Sequence, residues 1–132
     1  MGTTGPGISG KAIMVVEDEY LIALTLEMAL SEQGAHVMGP YSSVDAALEA
    51  LSATPWPDAA VLDINVRERL VFPVAEKLTE LDIPFVFATG YDNWTVPAVF
   101  STIRRFEKPT DTDRLIVELS NMLAARDTSG AA

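Results

Sequence analysis

Asp63 ends the apolar run Ala59-Ala60-Val61-Leu62, and polar or charged residues close three further strand-like runs. These are Glu17-Asp18 after Ile13-Met14-Val15-Val16, Thr89 after Phe85-Val86-Phe87-Ala88, and Lys108 after Arg105-Phe106-Glu107. If the four runs are neighbouring parallel strands, these side chains meet at the carboxyl edge of the sheet, where open α/β sheets bind their ligands. Carboxylates, a hydroxyl and an ammonium gathered there suit a hard divalent cation and a phosphoryl group. Mg²⁺ takes about six oxygen ligands, usually one or two carboxylates completed by water and phosphate oxygens. Asp63 is the candidate nucleophile, because a carboxylate can attack phosphorus to give an aspartyl phosphate. The transferred group then needs mainly positioning and neutralisation, with Lys108 as point charge and Thr89 as hydroxyl donor. Each residue has a plainer reading: loop-solvating acids, a solvated lysine, a strand-end hydroxyl bonded to backbone. Their coincidence at four strand ends carries the inference. Glu19 belongs to a helix start, where negative charge is favoured by the helix dipole.

Composition narrows the function classes. The 132 residues suit one domain with a substantial core, and 48% are hydrophobic, against the profile of a disordered chain. The formal net charge of -10, with only nine Lys and Arg, disfavours nucleic acid as a partner. No stretch reaches the roughly 20 apolar residues needed to span a bilayer, and the start lacks the features of a signal peptide. A cytoplasmic protein with no membrane partner is therefore expected. The absence of cysteine excludes disulfides and thiolate chemistry, and the single His36 cannot build a histidine-rich metal site.

Apolar runs alternate with helix-period segments, which is the pattern of a parallel sheet with helices on both faces. Five strands are expected, at about 12–17, 36–40, 59–62, 85–88 and 104–107. The first helix should run from near Glu19 to Gln33 and end at Gly34. Ser42 or Ser43 can cap the second, where Val44, Ala47, Leu48 and Leu51 share a face. Pro73 suits the start of the third, and the last follows Thr110-Asp111. Between Thr89 and Arg104, Pro97 leaves room only for a short or irregular fourth helix. The Gly-rich residues 1–10 read as a flexible leader, 11–126 as the domain, and 127–132 as a flexible tail.

These residues together resemble the receiver domain of two-component response regulators, over almost all of 11–125. The resemblance implies the flavodoxin-like, doubly wound five-stranded parallel sheet of order 2-1-3-4-5. It implies that Glu17, Asp18, Asp63 and the backbone carbonyl of Asn65 hold Mg²⁺, that Asp63 accepts a phosphoryl group, and that Thr89 and Lys108 bind it. Pro84-Phe85-Val86-Phe87-Ala88-Thr89-Gly90-Tyr91 resembles more narrowly the FAT GUY receivers, mainly single-domain regulators of alphaproteobacteria partnered with histidine kinases of the HWE or related type. The implied function is that of a bacterial stand-alone phosphoacceptor, not an enzyme acting on a separate substrate. It would be a monomer or weak dimer signalling through a downstream protein or a phosphotransfer partner, since 132 residues leave no room for an output domain.

Two departures matter. Asn65 is followed by Val66-Arg67-Glu68-Arg69 where receivers usually carry Leu-Pro, so Arg67 or Arg69 could approach the phosphoryl group or pair with Glu68. Arg105 stands where receivers have a switch aromatic, with Phe106 beside it. Switching is therefore expected in the Tyr91–Phe100 segment, and Tyr91, Trp94, Phe100, Arg105 and Phe106 are the switch and output candidates. A haloacid-dehalogenase-type phosphatase would need Asp where Asn65 stands. A flavodoxin's phosphate loop is incompatible with Glu17-Asp18-Glu19. The remaining alternative is a receiver-like binding module that works without phosphorylation.

Overall fold

The computed structural model describes residues 7–90 and 96–130, the last four of these as backbone only. Three strands, β1 (Ala12–Val16), β3 (Ala59–Asp63) and β6 (Phe85–Thr89), form the centre of a five-stranded parallel sheet, flanked by β2 (His36–Tyr41) and β7 (Arg105–Glu107). The order is β2-β1-β3-β6-β7, the 2-1-3-4-5 order of the flavodoxin-like fold. The three central strands are buried almost throughout, which is why they read as unbroken apolar runs.

Alternation along these strands divides the core in two. Met14, Val16, Ala60, Leu62, Phe85 and Phe87 face α2 (Val44–Ala50) and α3 (Phe72–Glu80). Ile13, Val15, Ala59, Val61, Val86 and Ala88 face α1 (Tyr20–Glu32) and α4 (Thr112–Gly130). Phe87 is fully buried and centres an aromatic cluster with Phe72, Phe85 and Phe100, at ring separations of 6.0, 5.5 and 6.1 Å.

Helix ends follow the local sequence. Ser43 caps α2 by accepting from the Ala46 N–H at 3.1 Å. The α1 C-terminus closes in a Schellman arrangement: Ala35 N–H donates to Leu30 O at 3.2 Å and Gly34 N–H to Ser31 O at 2.9 Å, with Gly34 at φ +87. The end of α3 repeats this with Ile83 to Leu78 at 2.9 Å and Asp82 to Thr79 at 3.0 Å, but the left-handed position, φ 60, holds Asp82.

Several elements differ from the sequence expectation. Residues 8–10 are held by the domain rather than forming part of a leader: Ile8 is buried at 1% exposure in the α1–α4 core, and Gly10 N–H donates to Gly34 O at 2.9 Å. The α4 backbone continues through Gly130, so the expected tail from 127 is mostly helical. β2 runs past Pro40 to Tyr41 through a bulge, with Met14 opposite Met38 but Val16 opposite Tyr41. Gly39 makes the bulge possible: its φ is +96, and a Cβ would lie 2.6 Å from Tyr41 N. The loop after β3 contains a small hairpin, β4 (Asn65–Val66) with β5 (Arg69–Leu70). Among the described residues, the fourth helix is a single 3₁₀ turn, Ala98–Phe100, preceded by Pro97. The Lys108–Pro109 bond, whose isomer the sequence leaves open, is cis. No helix among the described residues is long and apolar enough to cross a membrane.

Two substitutions test this account by chemical denaturation. Phe87→Ala should destabilise the fold by about 3–5 kcal/mol, through lost burial and the cavity left among the rings. Asp82→Gly should stabilise it by about 1 kcal/mol, because glycine adopts the left-handed conformation without steric cost.

Candidate functional site

Strand register assembles the site. Val16 pairs with Leu62, Asp63 with Ala88, and Thr89 with Glu107. Glu17 and Asp63 are therefore level with each other, with Thr89 one residue and Lys108 two residues further along at the same edge. Glu17, Asp63 and Thr89 are the buried polar side chains among the described residues, at 2%, 5% and 9% exposure. The interior polarity of this domain is thus concentrated at one edge of the sheet.

Lys108 ties the carboxylates together. Its Nζ lies 2.7 Å from Glu17 Oε1 and 3.1 Å from Asp63 Oδ2, with Glu19 Oε1 further away at 3.9 Å. The Asp63 contact is a hydrogen bond, whereas Glu17 Oε1 makes an ion pair without hydrogen-bond alignment. Backbone amides hold the opposite oxygens: Glu19 N–H donates to Glu17 Oε2 at 3.1 Å, and Asn65 N–H to Asp63 Oδ1 at 3.3 Å. Asp18 Oδ2 accepts from the Arg67 N–H at 3.0 Å. Lys108 is placed by its own backbone N–H, which donates to Thr89 O at 2.8 Å. The Thr89 hydroxyl has only a 3.5 Å contact to Gly90 O, too long to be a strong hydrogen bond, so it remains available to a ligand.

The charges do not balance. Burial pushes the Glu17 carboxyl up to about 7, and the neighbouring Asp63 charge adds to this, against the opposing pull of Lys108. Asp63 is likewise raised by burial, with Lys108 opposing. Burial alone would lower the Lys108 ammonium, but Glu17 and Asp63 together outweigh it and leave it raised. One ammonium thus serves two buried carboxylates, with Asp18 close by. Carboxylate oxygens of Glu17, Asp18 and Asp63 lie within 4.8 Å of one another. An all-oxygen donor set short of positive charge fits a hard divalent cation such as Mg²⁺.

The sequence-expected residues separate into two groups. Glu17, Asp18, Asp63, Thr89 and Lys108 converge, and Asn65 lies beside them with its Oδ1 buried and free of hydrogen bonds. The switch and output candidates scatter. Phe100 and Phe106 are core residues at 3% and 7% exposure rather than surface contacts, and Phe106 lies under the Arg104 guanidinium at 5.0 Å. Arg105 is exposed on β7. Tyr91 and Trp94 lie outside the described residues. Arg69 pairs with Asp45 at 2.8 Å rather than with Glu68, and the Arg67 guanidinium donates to Ser42 Oγ at 3.3 Å. Sequence reading missed the Arg67 amide on Asp18, a backbone contact that carries no residue-type signal.

The carboxylate shifts give a pH dependence. Between the ordinary value of 4.5 and about 7, folded Glu17 holds a proton that the unfolded chain has released. Its contribution to stability is therefore full below that window and is lost as pH rises through it. Asp63, raised from 3.8, acts in the same direction. Lys108 contributes stability that is lost only above its ordinary 10.5. In metal-free urea titrations, wild type should lose stability relative to Glu17→Gln between pH 4.5 and 7; parallel curves would contradict the burial argument.

Comparison with solved structures gives the family. The chain is 37% identical to SdrG from Sphingomonas melonis Fr1, with a TM-score of 0.72 over 86% of this chain and 94% of that one. A BeF3-activated conformation of SdrG, from Pseudomonas melonis Fr1, matches at 36% identity and TM-score 0.69, over 87% and 98% of the two chains. A response regulator receiver protein from Sinorhizobium medicae WSM419 matches at 27% identity and TM-score 0.76, over 88% and 96%. No family model and no curated protein sequence matches the chain. On its sheet order, its strand-end cluster and these likenesses, the chain belongs to the receiver-domain family of response regulators.

Proposed function

We propose that this receiver accepts a phosphoryl group on Asp63 from the phosphohistidine of a histidine kinase, in a Mg²⁺-dependent reaction. The observation that carries the reading is the placement of Asp63 Oδ2 beside Lys108, within a cluster of carboxylates that lacks countercharge. Glu17, Asp18, Asp63 and the Asn65 backbone carbonyl would hold the cation. Its charge would favour ionised carboxylates and offset the negative charge of the incoming group.

In the transfer, an Asp63 carboxylate oxygen attacks phosphorus and forms the P–O bond. The P–N bond to the kinase histidine breaks, and its electron pair stays on the imidazole, which takes up a proton. Lys108 Nζ, 3.1 Å from Asp63 Oδ2, is within reach of a phosphoryl oxygen carried on the same carboxylate. The weakly engaged Thr89 hydroxyl offers a second donor. Entry is open beside α1, where a groove of about 390 Å³ is bordered by Leu21, Ile22, Gly90, Lys108 and Pro109. Leu21, 73% exposed, gives the groove an apolar edge on which a partner can settle.

The phosphorylated state would signal from the surface of the 3₁₀ turn, β7 and α4, which carry Val99 and Val117, 71% and 59% exposed, and the exposed Arg105. Added charge held by Lys108 and Thr89 would shift the segment between Thr89 and Phe100 that leads to this surface. The Pro84–Tyr91 motif supports membership of the FAT GUY class, with an HWE-type kinase as donor and a downstream protein or phosphotransfer partner as reader. We place the protein in the bacterial cytoplasm as a monomer or weak dimer.

Incubation with a small-molecule phosphodonor, followed by intact-mass measurement, tests the proposal. A base-labile adduct should form only with Mg²⁺ and be absent from Asp63→Asn. Thr89→Ala and Lys108→Ala should slow its formation, on the order of 10²-fold where a charge-stabilising donor is lost. No adduct, under conditions that label a control receiver, would favour the phosphorylation-independent binding module.

A further inference from the structure

The β4–β5 hairpin carries strain that its own sequence does not explain. Its two tip residues, Arg67 and Glu68, sit at φ 50 and 63, the left-handed region that non-glycine residues enter at a cost. Two-residue hairpins of this kind favour Asn-Gly, which has neither the bulk nor the charge of Arg-Glu. Backbone strain of this sort persists only where surrounding contacts impose it, and it gathers at functional positions.

Those contacts are specific. The hairpin root is anchored by Val66 and Val71, both fully buried, and by the Val71 N–H donating to Ile64 O at 2.8 Å. The tip is tethered to the β2–α2 junction: Arg67 Nη2 donates to Ser42 Oγ at 3.3 Å, and Arg69 Nη1 meets Asp45 Oδ1 at 2.8 Å. The strained turn delivers the backbone N–H of Arg67 to Asp18 Oδ2, across 49 positions of sequence, at 3.0 Å. Glu17 and Asp63 are held by Lys108 and by amides next to them in sequence, whereas the amide on Asp18 comes from this distant turn.

We infer that the hairpin is a clasp that positions Asp18 for the divalent cation, with the Arg67 backbone amide as the positioning group. The inference rests on the reading of Asp18 as a metal ligand. Cation affinity then depends on how firmly the tip holds its conformation. By linkage, cation binding firms the tip by the same factor. The hairpin is thereby a second element, besides the lysine, through which this receiver's metal site is set.

The test compares two variants, Glu68→Gly and Glu68→Ala, which lose the same charge and keep the Arg67–Ser42 tether, while only glycine favours the left-handed turn. Calorimetric titration with Mg²⁺ alone should show affinity roughly three- to tenfold higher in the glycine variant than in the alanine variant. Asp82→Gly, which relieves the same kind of strain far from the site, should raise thermal stability and leave Mg²⁺ affinity unchanged. In wild type, amide exchange at 65–70 should slow when Mg²⁺ is added. Equal affinity in the two Glu68 variants, or exchange at 65–70 indifferent to Mg²⁺, would overturn the clasp while leaving the metal site intact. No Mg²⁺ binding by wild type would overturn the clasp and the metal-site reading together.

Discussion

Two buried carboxylates share one ammonium at the carboxyl edge of the sheet, and the rest of the site is organised around that shortage of positive charge. Desolvation disfavours ionised Glu17 and Asp63, and Lys108 offsets this only in part. Such an arrangement is costly to keep as a purely structural feature, since apolar residues would fill the same space without penalty. It becomes favourable when a divalent cation supplies the missing charge. The same field, once the cation is present, suits a phosphoryl group placed against Lys108 and Thr89.

The fold turns that electrostatic condition into fixed geometry. Three central strands covered on both faces leave no freedom of register, because a slip of one residue would exchange the two apolar faces. The strands therefore end at adjoining levels and bring Glu17, Asp63 and Thr89 to one edge, with Lys108 alongside. The aromatic cluster around Phe87 continues from the same strand that carries Thr89 and reaches Phe72 on α3 and Phe100 in the 3₁₀ turn. A change at Thr89 thus has a packed route toward the surface near Val99. In this conformation Phe100 and Phe106 act as packing, and Arg105 stands exposed on the edge strand.

What could be read in the sequence follows from how much each element depends on local pattern. The central strands and the four strand-end residues were legible because full burial writes itself as unbroken apolar runs with a polar stop. Gly34 was legible, and Ser43 as one of two adjacent serines, because cap positions have strong residue preferences. The hairpin was not: its strands have two residues each, and its Arg-Glu tip carries no left-handed preference. Nor was the packing of Ile8, a lone apolar residue among glycines with no periodicity around it. The expected strand 36–40 already held Gly39-Pro40, but its bulge and its extension to Tyr41 were hidden, because only a bulge on an edge strand lets the chain run past proline. Asp82 conceals a helix end that glycine at the same position would have announced.

One site formed by four strand ends, if it holds a divalent cation and a phosphoryl group at once, should respond only when both are supplied. The most direct test is an NMR titration of the protein with BeF3⁻, in the presence and absence of Mg²⁺. Amide shifts should centre on Asp63, Asn65, Thr89, Gly90 and Lys108 only when both are present, with further shifts reaching Phe100. Shifts that ignore Mg²⁺, or that leave Asp63 and Thr89 untouched, would contradict this.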